Sequence, residues 1–101
     1  MAFTKAATVA DIPAGKGKCV TVNGRKVALF NVNGTFYAID DTCTHRGGPL
    51  SEGDLDGTEV TCPWHGARFN IQTGANMSPP APTGVASYKV QVVGSEVQVD
   101  A

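Results

Sequence analysis

Two short segments of this 101-residue chain carry paired metal-ligating side chains, Cys43-Thr44-His45 and Cys62-Pro63-Trp64-His65. Each supplies one thiol and one imidazole, and sixteen residues separate His45 from Cys62. Thiolates and imidazoles are the ligand types that hold zinc and iron–sulfur centres. Arg46-Gly47-Gly48-Pro49 follows the first pair and Gly66 follows the second. Pro and repeated Gly deny a segment the continuous ladder of a strand and allow tight turns instead. The two segments hold both histidines of the chain and two of its three cysteines. Chance places one Cys beside one His easily; two matched pairs in two turn-forming loops argue for a shared centre. Cys43, His45, Cys62 and His65 are the candidate ligands.

Structural zinc sites usually pair like with like, as Cys-x(2–4)-Cys and His-x(3–5)-His. Here both pairs are mixed and one has a single intervening residue, which fits that pattern poorly. A structural zinc-binding module stays open as a reading. A [2Fe–2S] centre in which two His replace two Cys on one iron needs this inventory of ligands. Two loops giving one Cys and one His each clamp such a centre from both sides.

The elements that must carry these loops read as β. Lys18–Val22 and Lys26–Val32 are rich in β-branched residues, with Asn23-Gly24 near their junction. Asn-Gly suits a type I′ hairpin turn, in which both central residues need positive φ. Asn33-Gly34 repeats the device between Leu29–Val32 and Thr35–Ile39, and Gly94-Ser95 joins Tyr88–Val93 to Glu96–Val99. Val97 and Val99 alternate with Glu96, Gln98 and Asp100, the period of a half-buried strand. No stretch of eleven or more residues keeps a capped helical period. The expected fold is all-β and antiparallel, a single domain over 1–101 with a cluster-binding subdomain of two loops at about 41–82. Met77–Thr83 reads as a proline-rich loop.

Composition narrows the functional classes. A net charge of -1 argues against nucleic acid as the main partner, because phosphate binding leans on surplus Lys and Arg. No window approaches the roughly 18–20 apolar residues of a membrane span, and the start lacks an apolar signal core. These features lead us to expect a soluble, cytoplasmic, monomeric protein, in which cysteines serve metals or stay reduced. Charge is segregated: Lys5, Lys16, Lys18, Arg25 and Lys26 face only Asp11 in residues 1–39, whereas Asp40, Asp41, Glu52, Asp54, Asp56 and Glu59 face only Arg46 in 40–59. The acidic stretch is either a solvated face or a docking face for a basic partner. Cys19, in a predicted strand, is expected to be a buried or half-buried thiol far from both loops.

Cys43-Thr44-His45-Arg46-Gly47-Gly48 and Cys62-Pro63-Trp64-His65-Gly66 resemble the two cluster loops of Rieske [2Fe–2S] proteins. The likeness runs from Asp11-Ile12-Pro13 to the closing hairpin. It is strongest to the stand-alone Rieske-type ferredoxins of bacterial ring-hydroxylating dioxygenase systems. It implies an antiparallel β sandwich or barrel holding one [2Fe–2S] cluster, with Cys43 and Cys62 on the buried iron and His45 and His65 on the outer one. It also implies that Pro79-Pro80-Ala81-Pro82 walls the cluster from a third side and that Trp64 packs over it. The implied role is one-electron transfer from an NAD(P)H-dependent flavoprotein reductase to a terminal oxygenase, with docking around His45 and His65 and no catalysis by this chain. A small electron-transfer subunit of a nitrite reductase, which shares the fold, is the nearest alternative.

The resemblance also marks departures. Respiratory Rieske proteins carry an extra Cys in each loop, joined as a disulfide; Gly48 and Trp64 stand at those places. That branch also has a Ser and a Tyr whose hydroxyls reach sulfur, where this chain has Ala67 and Phe69. Hydrogen bonds to sulfur favour the reduced, more negative state. Two His in place of two Cys raise the potential, and the missing hydroxyls place it near the low end of the range, at roughly -150 mV.

Overall fold

The computed structural model describes residues 3–42, 49–63, 66–78 and 84–100. Among the described residues ten strands follow one another: β1 (Thr4–Thr8), β2 (Gly17–Val22), β3 (Arg25–Val32), β4 (Thr35–Asp40), β5 (Asp54–Asp56), β6 (Glu59–Thr61), β7 (Arg68–Asn70), β8 (Asn76–Ser78), β9 (Ser87–Val93) and β10 (Glu96–Asp100). Two single-turn 3-10 segments, Val9–Asp11 and Leu50–Glu52, are the only helical pieces among the described residues. The all-β expectation holds.

Six strands form one antiparallel sheet in the order β1-β10-β9-β4-β3-β2. Its edge strands β1 and β2 lie against each other, so the sheet rolls up nearly closed. The three predicted hairpins are all present, each with a two-residue turn closed by Val22–Arg25, Val32–Thr35 or Val93–Glu96. Asn23 and Asn33 stand at φ 50 and 52, the left-handed conformation a type I′ turn demands of its first central residue. Four short strands make a second antiparallel sheet, β5-β6-β7-β8, within the span expected to hold the cluster.

β3 explains how the two sheets share one chain. Val27, Ala28, Leu29 and Phe30 are all fully buried, because both faces of this strand are covered. Val27 and Leu29 point into the rolled sheet with Ile12, Val22, Ala38, Val97 and Val99. Ala28 and Phe30 point the other way, into a second core with Leu50, Val60, Cys62, Ala67, Phe69 and Ile71. An unbroken apolar run is the pattern of a strand covered on both faces. Removing a side chain such as Phe30 costs about 3–5 kcal/mol by the usual cavity penalty. The second core fastens the small sheet to β3 and β4, and it is the layer on which Cys62 sits.

Candidate metal centre

The loop that carries the first candidate pair leaves the large sheet at the end of β4, and the described chain resumes at Pro49. Thr42 and Pro49 face each other in an isolated antiparallel bridge. Asp41 secures this root from three sides. Its N–H donates to the Lys26 carbonyl at 3.1 Å, its own carbonyl accepts from the Leu50 N–H at 2.7 Å, and Oδ1 accepts from the Ser51 N–H at 2.7 Å. Only 5% of Asp41 is exposed. A carboxylate so placed is tolerable because its oxygen is hydrogen-bonded. Asp40, beside it, ties the same root to β9: its N–H donates to the Ala86 carbonyl at 2.9 Å and its carboxylate accepts from the Tyr88 hydroxyl.

The second loop caps the β6–β7 hairpin. Thr61 pairs with Arg68, and beyond them the Cys62 N–H donates to the Ala67 carbonyl at 2.6 Å. The Gly66 N–H returns to the Cys62 carbonyl at 3.1 Å, with Gly66 at φ 76, where a side chain is strained. Gly53 lets the neighbouring strand approach: a Cβ there would stand 2.1 Å from the Thr61 carbonyl oxygen. This close contact brings the Leu50–Glu52 turn, which ends the first loop, against the strand that begins the second.

Cys62 is 2% exposed, on the second core among Leu50, Val60, Ala67 and Phe69. A thiol held at the base of a tight loop on an apolar wall suits a thiolate ligand to iron, shielded from water on one side. The first loop returns to this wall through Leu50, which is wholly buried. The described residues therefore fit one thiolate ligand of an iron–sulfur cluster, Cys62, on the loop after β6. Cys43, His45 and His65, with Trp64 and the 79–83 stretch, lie outside the described residues.

The structure corrects two expectations. Cys19 is exposed on β2, not buried, because its side chain lies on the outer face of an edge strand. It also lies near Asp41, at the root of the first loop, rather than far from it. Partial desolvation pushes its thiol pKa up, followed by a hydrogen bond to the Asp41 carboxylate. The acidic stretch is likewise not one face: Asp41 is buried, Asp40 is bonded to Tyr88, and Glu59 pairs with Arg68 at 3.7 Å. Glu52, Asp54 and Asp56 remain exposed. Sequence reasoning treated Asp41 as a surface charge; its signal was an Asx residue at a strand-to-loop junction, where such side chains bond to backbone N–H groups. A hollow of about 730 Å³ between β4 and β9 is lined by Phe3, Phe36, Tyr37, Ile71 and Tyr88 among the described residues, and Cys62 is not among them.

A family model described as the Rieske [2Fe-2S] domain matches residues 2–89. The chain belongs to the Rieske [2Fe–2S] domain family. Its cofactor is one [2Fe–2S] cluster, and the zinc reading falls. This Rieske chain is 43% identical over 101 residues to the biphenyl dioxygenase ferredoxin subunit of Pseudomonas sp. (strain KKS102), covering 99% of this chain and 93% of that protein. Among solved structures it matches the ferredoxin of carbazole 1,9a-dioxygenase from Nocardioides aromaticivorans IC177 with a TM-score of 0.93 at 30% identity, over 98% and 97% of the two chains. A chain in a complex of reduced oxygenase and oxidized ferredoxin of carbazole 1,9a-dioxygenase matches with a TM-score of 0.88 at 38% identity, over 96% and 91%. A protein described as a nitrite reductase small subunit matches at 22% identity and a TM-score of 0.83, a likeness of fold alone. No helix among the described residues is long and apolar enough to cross a membrane.

Proposed function

We propose that this Rieske protein is a one-electron carrier that docks to a terminal oxygenase and takes its electrons from an NAD(P)H-dependent flavoprotein reductase. The observation that carries this reading is the degree of identity to ferredoxin components of dioxygenase systems over nearly their whole length. The nitrite reductase reading has only a common fold in its favour. On this reading the chain is not itself a catalyst, and it works as a cytoplasmic monomer with no nucleic-acid or membrane partner. Residues 1–101 form one Rieske domain, with the cluster-binding part at about 41–82.

The ligand set in this reading is Cys43 and Cys62 on the inner iron and His45 and His65 on the outer one. A [2Fe–2S] cluster so ligated supplies reversible uptake of a single electron. The chain's own contribution is support and shielding. The Cys62–Ala67 hairpin holds one thiolate at the wall, and Leu50, Val60 and Phe69 keep water from its inner side. The Asp41 root holds the take-off point of the loop that carries Cys43 and His45. Partners meet the protein at the histidine-bearing end, in an encounter of under about 1,200 Å² as is usual for brief redox contacts.

The test is rapid mixing. Anaerobically reduced protein is mixed with a purified terminal oxygenase, and oxidised protein with a flavoprotein reductase and NADH, while the visible band of the cluster is followed. Electron transfer in both directions is expected, at rates that saturate with partner concentration. Reduction by the reductase without any delivery to oxygenases of this class would defeat the reading.

A further inference from the structure

We infer that Asp41 is a positioning residue for the cluster, latching the root of the first ligand loop so that Cys43 and His45 are presented to the wall that holds Cys62. The inference rests on the ligand set proposed above. Three observations carry it. Asp41 joins two separate parts of the fold: β3 through its backbone N–H to the Lys26 carbonyl, and the Leu50–Glu52 turn through its backbone carbonyl to the Leu50 N–H and its side chain to the Ser51 N–H. Its carboxylate is buried at a place where a short apolar residue would leave the Ser51 N–H without an acceptor. The Thr42–Pro49 bridge sits one residue further along, so Asp41 sets both the exit and the return of the 43–48 segment.

Cys19 completes the latch. The Cys19 thiol, on β2 at the edge of the large sheet, stands close enough to the same carboxylate for Asp41 to help hold its pKa up. The carboxylate is therefore bonded to the 3-10 turn and faced by the exposed thiol of β2. Leu50 transmits the restraint: its N–H is bonded to Asp41 and its side chain packs in the core that includes Cys62. An anchor two residues before a ligand fixes the direction in which that ligand is offered, as outer partners do at other metal centres.

The experiment follows loss of the visible cluster spectrum from anaerobic holoprotein in excess ferrozine, with far-UV circular dichroism to monitor the fold. Asp41→Ala is expected to lose its cluster about tenfold faster than wild type, the common scale for removing an outer partner. Its reduced form is expected to show a broadened electron paramagnetic resonance signal. Asp41→Asn keeps an oxygen acceptor for the Ser51 N–H and is expected to stay close to wild type in both readouts. An alanine variant with wild-type retention and signal overturns the latch, as does an asparagine variant as leaky as alanine. Should Asp41→Ala not fold, the exposed Cys19 decides: Cys19→Ala losing cluster faster than Cys19→Ser supports the latch, and equal rates overturn it. Cys43→Ser separates the two readings. If it loses the cluster while Asp41→Ala keeps it, the latch alone fails; if it keeps the cluster, the ligand set fails and the latch with it.

Discussion

The backbone N–H of Cys62 donates to the carbonyl of Ala67 at 2.6 Å, closing a hairpin loop whose two ends are both buried. The proposed ligand Cys62 is thereby fixed by the chain's own ladder rather than by side-chain packing alone. The loop between them turns through Gly66 at φ 76. Gly66→Ala should therefore destabilise the holoprotein by about 1–2 kcal/mol, the usual cost of a left-handed non-glycine residue. Thermal melts of the two holoproteins measure this, and an unchanged midpoint would contradict it.

The ligand set makes the most direct prediction. Cys43→Ser, His45→Ala, Cys62→Ser and His65→Ala should each abolish the visible spectrum of the cluster. Cys19→Ser should keep it, because Cys19 is not one of the proposed ligands. Iron and sulfide analysis of the purified variants checks both halves. Equal cluster loss in Cys19→Ser would show that the ligands are wrongly assigned.

Ala67 and Phe69 are wholly buried beside Cys62 and bring no side-chain donor to sulfur. Ala67→Ser and Phe69→Tyr should raise the reduction potential, most in the double variant. A tenfold change in a one-electron equilibrium is about 59 mV, so tens of millivolts is the scale to seek by voltammetry. Each added hydroxyl is buried and costs about 1–3 kcal/mol unless it finds an acceptor, so stability reports whether the bond has formed. A double variant that keeps its cluster and its wild-type potential would refute the hydrogen-bond account.

Docking is expected to use the acidic residues that are exposed. Glu52 and Asp54 follow the first loop, and Asp54 pairs with Thr61, next to Cys62. Glu52→Lys and Asp54→Lys should slow electron transfer with a basic partner at low ionic strength and lose that effect at high salt, where screening is strong. Asp41 is not part of this surface, since it is buried. Transfer rates indifferent to both substitution and salt would remove the electrostatic contribution.

Tyr88 predicts an alkaline dependence. Burial raises its phenol pKa, and its hydrogen bond to Asp40 raises it further, against an opposing contact with Arg25. A raised pKa means the folded protein favours the protonated phenol. That stabilisation is fully present below the unfolded value of about 10 and is lost as pH rises through the folded value. The gap in melting temperature between wild type and Tyr88→Phe should therefore be widest near neutral pH and narrow above about pH 10. A gap that stays constant to pH 11 would exclude this role.

Much of this protein is local and so can be read from the chain alone. Asn23-Gly24, Asn33-Gly34 and Gly94-Ser95 specify two-residue hairpins through the φ angles they tolerate, and the strands they join are those observed. The Cys-x-His and Cys-x-x-His spacings, set in Gly/Pro loops, identify the kind of centre because ligand chemistry depends on side-chain type and short spacing. The short strands β5 to β8 carry no such signal. Three residues hold too little periodicity to register, and these strands exist because Val60, Phe69 and Ile71 pack on the outer face of β3 and β4. The same holds for charge. Asp41 and Glu52 are both acidic in sequence, yet one is a buried acceptor and the other is exposed. Only the return of the chain at Leu50 and Ser51 separates them, since burial and hydrogen bonding are set by residues that folding brings from elsewhere in the chain. Cys19 shows it most plainly: an isolated thiol in the sequence comes near Asp41, at the root of the first loop, because β2 pairs with β3 and Asp41 bonds to Lys26.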